Sequence, residues 1–302
     1  MSQTSIPELE VGIAEFLSTF NIFLSITASL GNVLILVALH KETSLHPPTK
    51  RLFRCLATTD LCVGVISQPL FAVFLLLSVL AEVNGKFIFY IDKLYNASSL
   101  VLCQVSMFTS SAISVDRLLA LLSGLRYRQV VTLPRVHAVI ICFWLISITC
   151  GLMYFWNVNT AFTVSFALKI TFLATSVLSY LTIYLKLRQH QLQVRAVLQG
   201  KPNGRQVPLN IARYKKSVSS ALWVQLSLVT CYIPNTVVQI MHVFYAQLSG
   251  SKFEIACYVT ATLIYLNSSI NPILHCWRIG AVGQAAKDTI KQLNCCCKSA
   301  RS

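Results

Sequence analysis

The sequence predicts an all-α membrane protein, a bundle of seven transmembrane helices with a short amphipathic helix after the seventh span. Of its 302 residues, 55% are hydrophobic and only 12% are charged. That is about half the charged fraction with which soluble domains cover their surface. The mean hydropathy of +0.64 points the same way. This composition excludes both a single soluble domain and a disordered chain.

Seven apolar stretches are long enough to cross a bilayer, which takes about 20 residues as a helix. They are 17–40, 52–80, 88–121, 136–156, 161–188, 216–247 and 254–277. We therefore divide the chain into an extracellular N-terminus (1–16), a transmembrane domain (17–277) and a cytosolic tail (278–302). No internal repeat is evident, which argues against an inverted-repeat transporter.

The basic residues predict the orientation. Of the 25 Lys and Arg, 21 lie in or beside the tail and the connections after spans one, three and five. The positive-inside rule places these segments in the cytosol and the N-terminus outside, as in a multi-pass protein of the plasma membrane. The net charge of +15 is then explained by topology and by contact with the lipid bilayer. No nucleic-acid partner is predicted.

The cysteines suggest a lipid anchor on the cytosolic side. A run of three follows the predicted amphipathic helix Ile279–Leu293, namely Cys295, Cys296 and Cys297. Cysteines beside the membrane are candidates for S-palmitoylation, and the alternative is unmodified thiols in a reducing cytosol. Only Cys257 lies near the extracellular face, so no extracellular disulfide within the chain is expected.

Polar residues within the spans predict a buried cluster. Asp60 lies about 12 Å from the start of span two, at 1.5 Å per residue. Residues of spans three and seven reach comparable depths, namely Ser106, Asn267, Ser268 and Asn271. A carboxylate among neutral oxygens suits Na⁺, which would act as an allosteric ion. The alternative is a protonated Asp60 in a hydrogen-bond network without an ion.

An ordered set of motifs runs through the seven spans: Gly31-Asn32-Val33, Leu56-Ala57-Thr58-Thr59-Asp60-Leu61, Val115-Asp116-Arg117-Leu118, Trp144, Tyr180, Cys231-Tyr232-Ile233-Pro234 and Asn267-Ser268-Ser269-Ile270-Asn271-Pro272-Ile273-Leu274-His275. In this set, over roughly residues 20–294, the chain resembles the rhodopsin-like (class A) G protein-coupled receptors. Three positions depart from the family pattern. Leu118 and His275 replace tyrosines, and Tyr232 replaces a tryptophan.

The resemblance implies a receptor, not an enzyme, that binds an extracellular ligand and activates heterotrimeric G proteins. It implies that Arg117 contacts the G protein, that Tyr180 steadies Arg117 and that Pro234 bends span six. The residues that it assigns to coupling and to the activation switch are Asp116, Arg117, Tyr180, Tyr232, Pro234, Asn271, Pro272 and His275.

Further features resemble one branch of the family, the melanocortin, adenosine, cannabinoid and lysophospholipid receptors. The loop between spans four and five, Asn157–Thr160, is short and has no cysteine. Asp92 stands where the family usually carries a cysteine at the top of span three. Span five has no proline. These features do not identify a ligand.

Candidate ligand-binding residues lie in the outer halves of the spans: Asp92, Asn96, Ser99, Lys169 and Tyr265. Where aminergic receptors carry an aspartate, this chain has Ser99, and where opsins carry the retinal lysine it has Tyr265. Lys169 has three possible roles. It could hold an acidic ligand, pair with a carboxylate such as Asp92, or extend its ammonium through lipid to the interface.

Two other functions are consistent with parts of this pattern. A transporter or channel would place Asp60 and Lys169 on its permeation path, although symmetric broken helices are missing. A receptor-like partner that forms homo- or heterodimers without coupling to a G protein is compatible with Tyr232 and His275.

Overall fold

Residues 8–43, 45–79, 84–199, 226–241, 250–278 and 284 are described by the computed structural model. Among them, every regular element is helical, and seven long helices follow one another. They are α1 (Glu8–Lys41), α2 (Pro47–Val79), α3 (Gly85–Ser123), α4 (Leu133–Trp156), α5 (Val158–Gln199), α6 (Leu226–Met241) and α7 (Ser251–Arg278). Six are long and apolar enough to cross a membrane, and α6 is a shorter apolar helix. The predicted fold class is confirmed.

Six of the seven helices are longer than the apolar stretches that predicted them, and the described part of α6, Leu226–Met241, lies inside the stretch 216–247. Span 161–188, for example, lies inside α5, which continues to Gln199. Lys, Arg, Gln and Leu prolong it, and all four have high helix propensity in water as well as in lipid. Of the predicted amphipathic helix, Ile279–Leu293, only Gln284 is among the described residues, and it is helical.

The connection between α4 and α5 is shorter than the predicted loop Asn157–Thr160. Trp156 ends α4 and Val158 begins α5, so Asn157 alone joins them. The Asn157 side-chain oxygen accepts a hydrogen bond from the backbone nitrogen of Thr160 at 3.1 Å. This is the bond of a helix N-cap. The loop prediction was wrong because polar residues at the membrane surface are part of the helix.

A π-helical turn interrupts α2 shortly after Asp60. It covers Val63–Ser67 and precedes Pro69, which has no N–H to give to the carbonyl four residues earlier. The Ser25 hydroxyl of α1 donates a hydrogen bond to the Gly64 carbonyl at 2.6 Å, so one carbonyl of this turn has a partner from another helix. The turn changes the rotation of the outer half of α2 relative to Asp60.

Helix α3 is the centre of the bundle and contacts α2, α4 and α5. An aromatic cluster surrounds its middle, where the rings of Phe108 and Phe172 stack with centroids 3.9 Å apart. By contrast, α1 and α4 expose apolar side chains on the outside of the bundle, including Phe23, Leu145 and Leu152. Such an outer surface suits lipid rather than water.

Helices α1 and α7 pack closely at two motif residues. A Cβ atom added to Gly31 would lie 2.9 Å from Cγ and 3.0 Å from Cβ of Pro272. The proline ring cannot rotate away as a flexible side chain could. The glycine of the first motif therefore allows the proline of the last motif to pack against α1.

We predict that Gly31→Ala destabilises the folded receptor by about 1–3 kcal/mol, because the added methyl group overlaps the Pro272 ring. The measurement is the thermal unfolding midpoint of the purified protein in lipid nanodiscs. Gly12→Ala is the matched control on the same helix, since a Cβ there would meet nothing within 4 Å. Equal midpoints for both variants would show that the contact is unimportant.

Candidate functional site

A fully buried carboxylate joins α2, α3 and α7. The hydroxyls of Ser106 and Ser268 donate to Oδ1 of Asp60 at 2.7 and 2.8 Å, and the Asn271 amide donates to Oδ2 at 2.7 Å. Asp60 and Ser106 have no exposed surface. The structure thus brings four of the five predicted sodium-site residues into one hydrogen-bonded group.

The fifth predicted residue, Asn267, lies one helical turn before Asn271. It is buried, and its amide nitrogen has no hydrogen-bond partner. The neighbouring Asn32 of α1 donates to the Ser268 carbonyl at 3.1 Å and so connects the first helix to the same region. Buried polar groups are normally satisfied, so this amide nitrogen is an exception beside the Asp60 group.

A second polar group lies near the C-terminal end of α3. Asp116 is buried and accepts hydrogen bonds from the hydroxyl groups of Tyr127 at 2.6 Å and Thr49 at 3.1 Å. The hydroxyls of Thr49 and Tyr127 also lie 3.0 Å apart. Burial and the adjacent Asp116 raise the pKa of Tyr127 to about 12, so the phenol keeps its proton at neutral pH.

Two further residues predicted for the switch, Arg117 and Tyr180, lie near the same end of α3. The Arg117 guanidinium lies over the Phe53 ring, 5.7 Å from its centroid. Tyr180 of α5 is buried against Leu118 and Leu121 of α3, and its hydroxyl has no hydrogen-bond partner. Tyr180 therefore has an unused donor and acceptor beside the C-terminal end of α3.

A cavity of about 400 Å³ lies between α3, α5, α6 and α7. Four of the predicted ligand-binding residues line it: Asn96, Ser99, Lys169 and Tyr265. The fifth, Asp92, is not among its lining residues and accepts a hydrogen bond from Asn96 on its own helix at 2.9 Å. The hydroxyls of Ser99 and Tyr265 are hydrogen-bonded across the cavity wall.

Lys169 connects α5 to α6 within this cavity. Its Nζ donates to the side-chain oxygens of Asn235 at 3.1 Å and of Gln239 at 2.8 Å. Asn235 in turn donates to the hydroxyl of Thr260 on α7 at 3.4 Å. Lys169 therefore belongs to a polar chain across three helices, and its acceptors are amides of α6.

Tyr232 joins the cavity to the buried carboxylate. Its hydroxyl donates to the backbone carbonyl of Cys103 at 3.2 Å, and both residues line the cavity. Cys103 stands three residues before Ser106, which donates to Asp60. One turn of α3 thus separates the cavity floor from the Asp60 group.

The remaining switch residues are placed only in part. Pro234 lies in α6 and is half-buried, and Pro272 lies inside α7. His275 also lies in α7, but its side chain is outside the described part of the chain, as are Cys295, Cys296 and Cys297. All eight cysteines that the structure describes are free thiols.

Sequence reasoning did not single out Thr49, Tyr127, Asn235 or Gln239. Asn235 follows Pro234 directly, and Gln239 lies one turn later, so their position on the same face of α6 as Tyr232 was a usable signal. Thr49 and Tyr127 lie far apart in the sequence, and the spacing of residues within either segment does not indicate that the two segments pack together. They are recognisable only once the bundle is assembled.

This arrangement, a bundle of seven helices with a cavity in one half and the hydrogen-bonded Asp116 at the other end, is that of a seven-helix receptor. The family model for the 7 transmembrane receptor (rhodopsin family) matches residues 31–275. The chain belongs to this family. It is a multi-pass G protein-coupled receptor and not an enzyme, and nothing in the comparisons supports a transporter or channel.

Curated relatives include melanocortin receptor 5 of three mammals. The rat (Rattus norvegicus) receptor is 24% identical over 284 residues, which cover 90% of this chain and 82% of the relative. The mouse (Mus musculus) receptor is 23% identical over 300 residues, covering 96% and 86%. The human (Homo sapiens) receptor is 25% identical over 282 residues, covering 90% and 82%. The predicted resemblance to the melanocortin branch is confirmed.

We predict that Tyr127→Phe lowers the free energy of unfolding by about 1.5–3 kcal/mol, the range for hydrogen bonds to charged groups. The variant keeps the ring but leaves one oxygen of Asp116 without its donor. The thermal unfolding midpoint of the purified receptor measures the loss. Tyr184→Phe is the control, because Tyr184 is exposed on the outside of α5. A midpoint equal to that of the control would show that the bond adds nothing.

Proposed function

We propose that the ligand of this receptor binds in the cavity between α3, α5, α6 and α7 and so controls a G protein at the cytosolic ends of α3, α5 and α6. One observation carries the proposal: the cavity and the Asp60 group share a turn of α3. Cys103 accepts from Tyr232 of α6, and Ser106 donates to Asp60 of α2.

The mechanism is a shift between two helix arrangements. A ligand changes their populations only by as much as its affinities for the two differ. Contacts with Tyr232 and Lys169 act on α6, and the Asp60 group passes the change to α2 and α7. At the other end, Arg117 is the residue that meets the G protein once α6 moves away from α3.

The cavity end faces the outside of the cell in this proposal, with the protein in the plasma membrane and its N-terminus extracellular. The distribution of Lys and Arg supports this orientation. Lys93 at the cavity end of α3 lies over the ring of the buried Tyr154 of α4, 4.5 Å from the centroid, so this basic residue has an aromatic partner.

We also propose that Na⁺ binds at Asp60 and favours the resting arrangement. The donor set fits a hard cation, since a carboxylate, two serine hydroxyls and the amide oxygens of asparagines are oxygen ligands. The unpartnered amide of Asn267 supports a further ligand, because an asparagine amide presents its oxygen after a half-turn of its side chain. Protonation of Asp60 would compete with the ion.

Asp60→Asn is expected to remove any sodium dependence of ligand affinity. In the native receptor, replacing Na⁺ by N-methylglucamine should raise agonist affinity by about 5- to 150-fold, the usual range for coupled sites. Competition binding to membranes in the two buffers measures the ratio. Asn267→Ala should reduce this affinity ratio in part. A native receptor and an Asp60→Asn variant that respond alike would refute the sodium site.

Ligand-free signalling is expected as well. The cytosolic stretch Arg213-Tyr214-Lys215-Lys216, which lies outside the described residues, carries no acid that could restrain Arg117. The resting arrangement thus lacks one exposed ion pair to Arg117, worth about 1 kcal/mol. When few receptors are in the active arrangement, that loss raises their fraction about fivefold.

Nucleotide exchange on a panel of G proteins, at matched surface expression and without ligand, measures this activity. Arg117→Ala should abolish it, and Tyr214→Glu should lower it. Phe23→Leu, on the lipid-facing side of α1, is the control and should leave it unchanged. Exchange equal to that of cells without receptor, together with unchanged agonist potency in Tyr214→Glu, would contradict the missing restraint.

A further inference from the structure

Lys169 is a cation that the structure surrounds with neutral partners. The two acceptors of its Nζ, on Asn235 and Gln239, are amide oxygens. They account for two of the three N–H donors of an ammonium group. A charge at membrane depth costs free energy unless an opposite charge pairs with it. The cavity therefore contains one positive group that an anion would stabilise.

The carboxylates that the structure describes near the bundle interior have other partners. Asp60 accepts three hydrogen bonds from α3 and α7, Asp92 accepts from Asn96, and Asp116 accepts from Thr49 and Tyr127. Glu254 also lines the cavity, but it is solvent-exposed, so water rather than Lys169 can balance its charge. None of the carboxylates in the described ranges is therefore left to balance Lys169, and we assign its counter-charge to the ligand.

The rest of the cavity favours an apolar molecule. Beside Lys169 its wall is formed largely by aliphatic and aromatic side chains, including Leu100, Met107, Phe162, Phe166, Val238 and Ile264. Its volume of about 400 Å³ is within the range of small-molecule sites, about 300–1,000 Å³. Lys169 is the single Lys or Arg among the described lining residues, which matches one negative charge on the ligand. A single acid group on an apolar body matches this surface.

We infer that the ligand is a small amphiphilic carboxylate, whose acid group pairs with Lys169 and whose apolar part fills the space between α3, α5 and α6. This inference rests on the proposed function for the location of the ligand site. It adds the chemical class of the ligand and the residue that recognises its charge.

Binding of such an acid also acts on α6. Asn235 and Gln239 offer the ammonium neutral acceptors, whereas a carboxylate adds the attraction of an opposite charge, so it competes with these two amides for Lys169. When it succeeds, α6 loses its connection to Lys169, and Asn235 keeps only its bond to Thr260. The acid therefore favours arrangements in which α6 is separated from α5.

The test uses the full chain in nanodiscs of phosphatidylcholine, with phenylbutanoate and phenylhexanoate as probes and their primary amides as neutral matches. The ligand dependence of the unfolding midpoint gives each affinity. Each carboxylate should bind the native receptor about 10- to 100-fold more tightly than its amide, because both accept a hydrogen bond from the ammonium but only the carboxylate carries the opposite charge. Carboxylate and amide of equal affinity would overturn the inference.

Four variants separate charge recognition from folding. Lys169→Met should abolish the preference for the acid, and Lys169→Arg should retain it. Asn235→Asp should also abolish the preference, because it gives the ammonium a permanent carboxylate partner. Lys252→Met, at an exposed position beside the cavity end of α7, is the control that keeps it. If Lys169→Met does not fold, Asn235→Asp decides, and an undiminished preference in that variant contradicts the inference.

Nucleotide exchange by a G protein, measured on the same samples, distinguishes a failure of the carboxylate inference from a failure of the proposed signalling function. If the carboxylate binds more tightly than the amide but does not change nucleotide exchange, the acid site is supported and its link to signalling is contradicted. A change in exchange that is equal for acid and amide would support ligand-controlled signalling from the cavity and overturn the carboxylate inference.

Discussion

A carboxylate buried within a membrane bundle needs hydrogen-bond donors around it, and Asp60 has to obtain them from other helices. Its donors are Ser106 of α3 and Ser268 and Asn271 of α7. In a medium of low dielectric constant each unmade bond would leave a costly unsatisfied group. The relative positions of α2, α3 and α7 are therefore coupled to this one side chain.

The two ends of the receptor share one helix, α3. One turn above Ser106, the cavity floor is held by the bond from Tyr232 to Cys103, which joins α6 to α3. Three turns below Ser106, Asp116 binds two hydroxyl groups of the cytosolic side. Because α3 carries all of these contacts, a change at the cavity and a change at the G protein face share one rigid element.

The sequence predicted well how deep each polar side chain lies along its helix. It predicted poorly how each helix is rotated about its own axis, and so which neighbours a side chain meets. Depth follows from counting 1.5 Å per residue, and on that basis Asp60 and Ser106 could be expected at one level. Rotation depends on how neighbouring helices pack and on irregular turns such as Val63–Ser67, which local spacing does not reveal. For that reason the acceptors of Lys169 on α6 and the place of Tyr127 beside Asp116 emerged only from the assembled bundle.

The most direct test of this account is a set of double-mutant cycles that pair Asp60→Asn with Ser106→Ala, Ser268→Ala and Asn271→Ala. The quantity is the free energy of unfolding in lipid nanodiscs. If Asp60 holds α3 and α7, the coupling energies should fall within about 0.5–3 kcal/mol for each pair. Additive effects for all three pairs would show that the helices are held by other contacts, and would contradict the account.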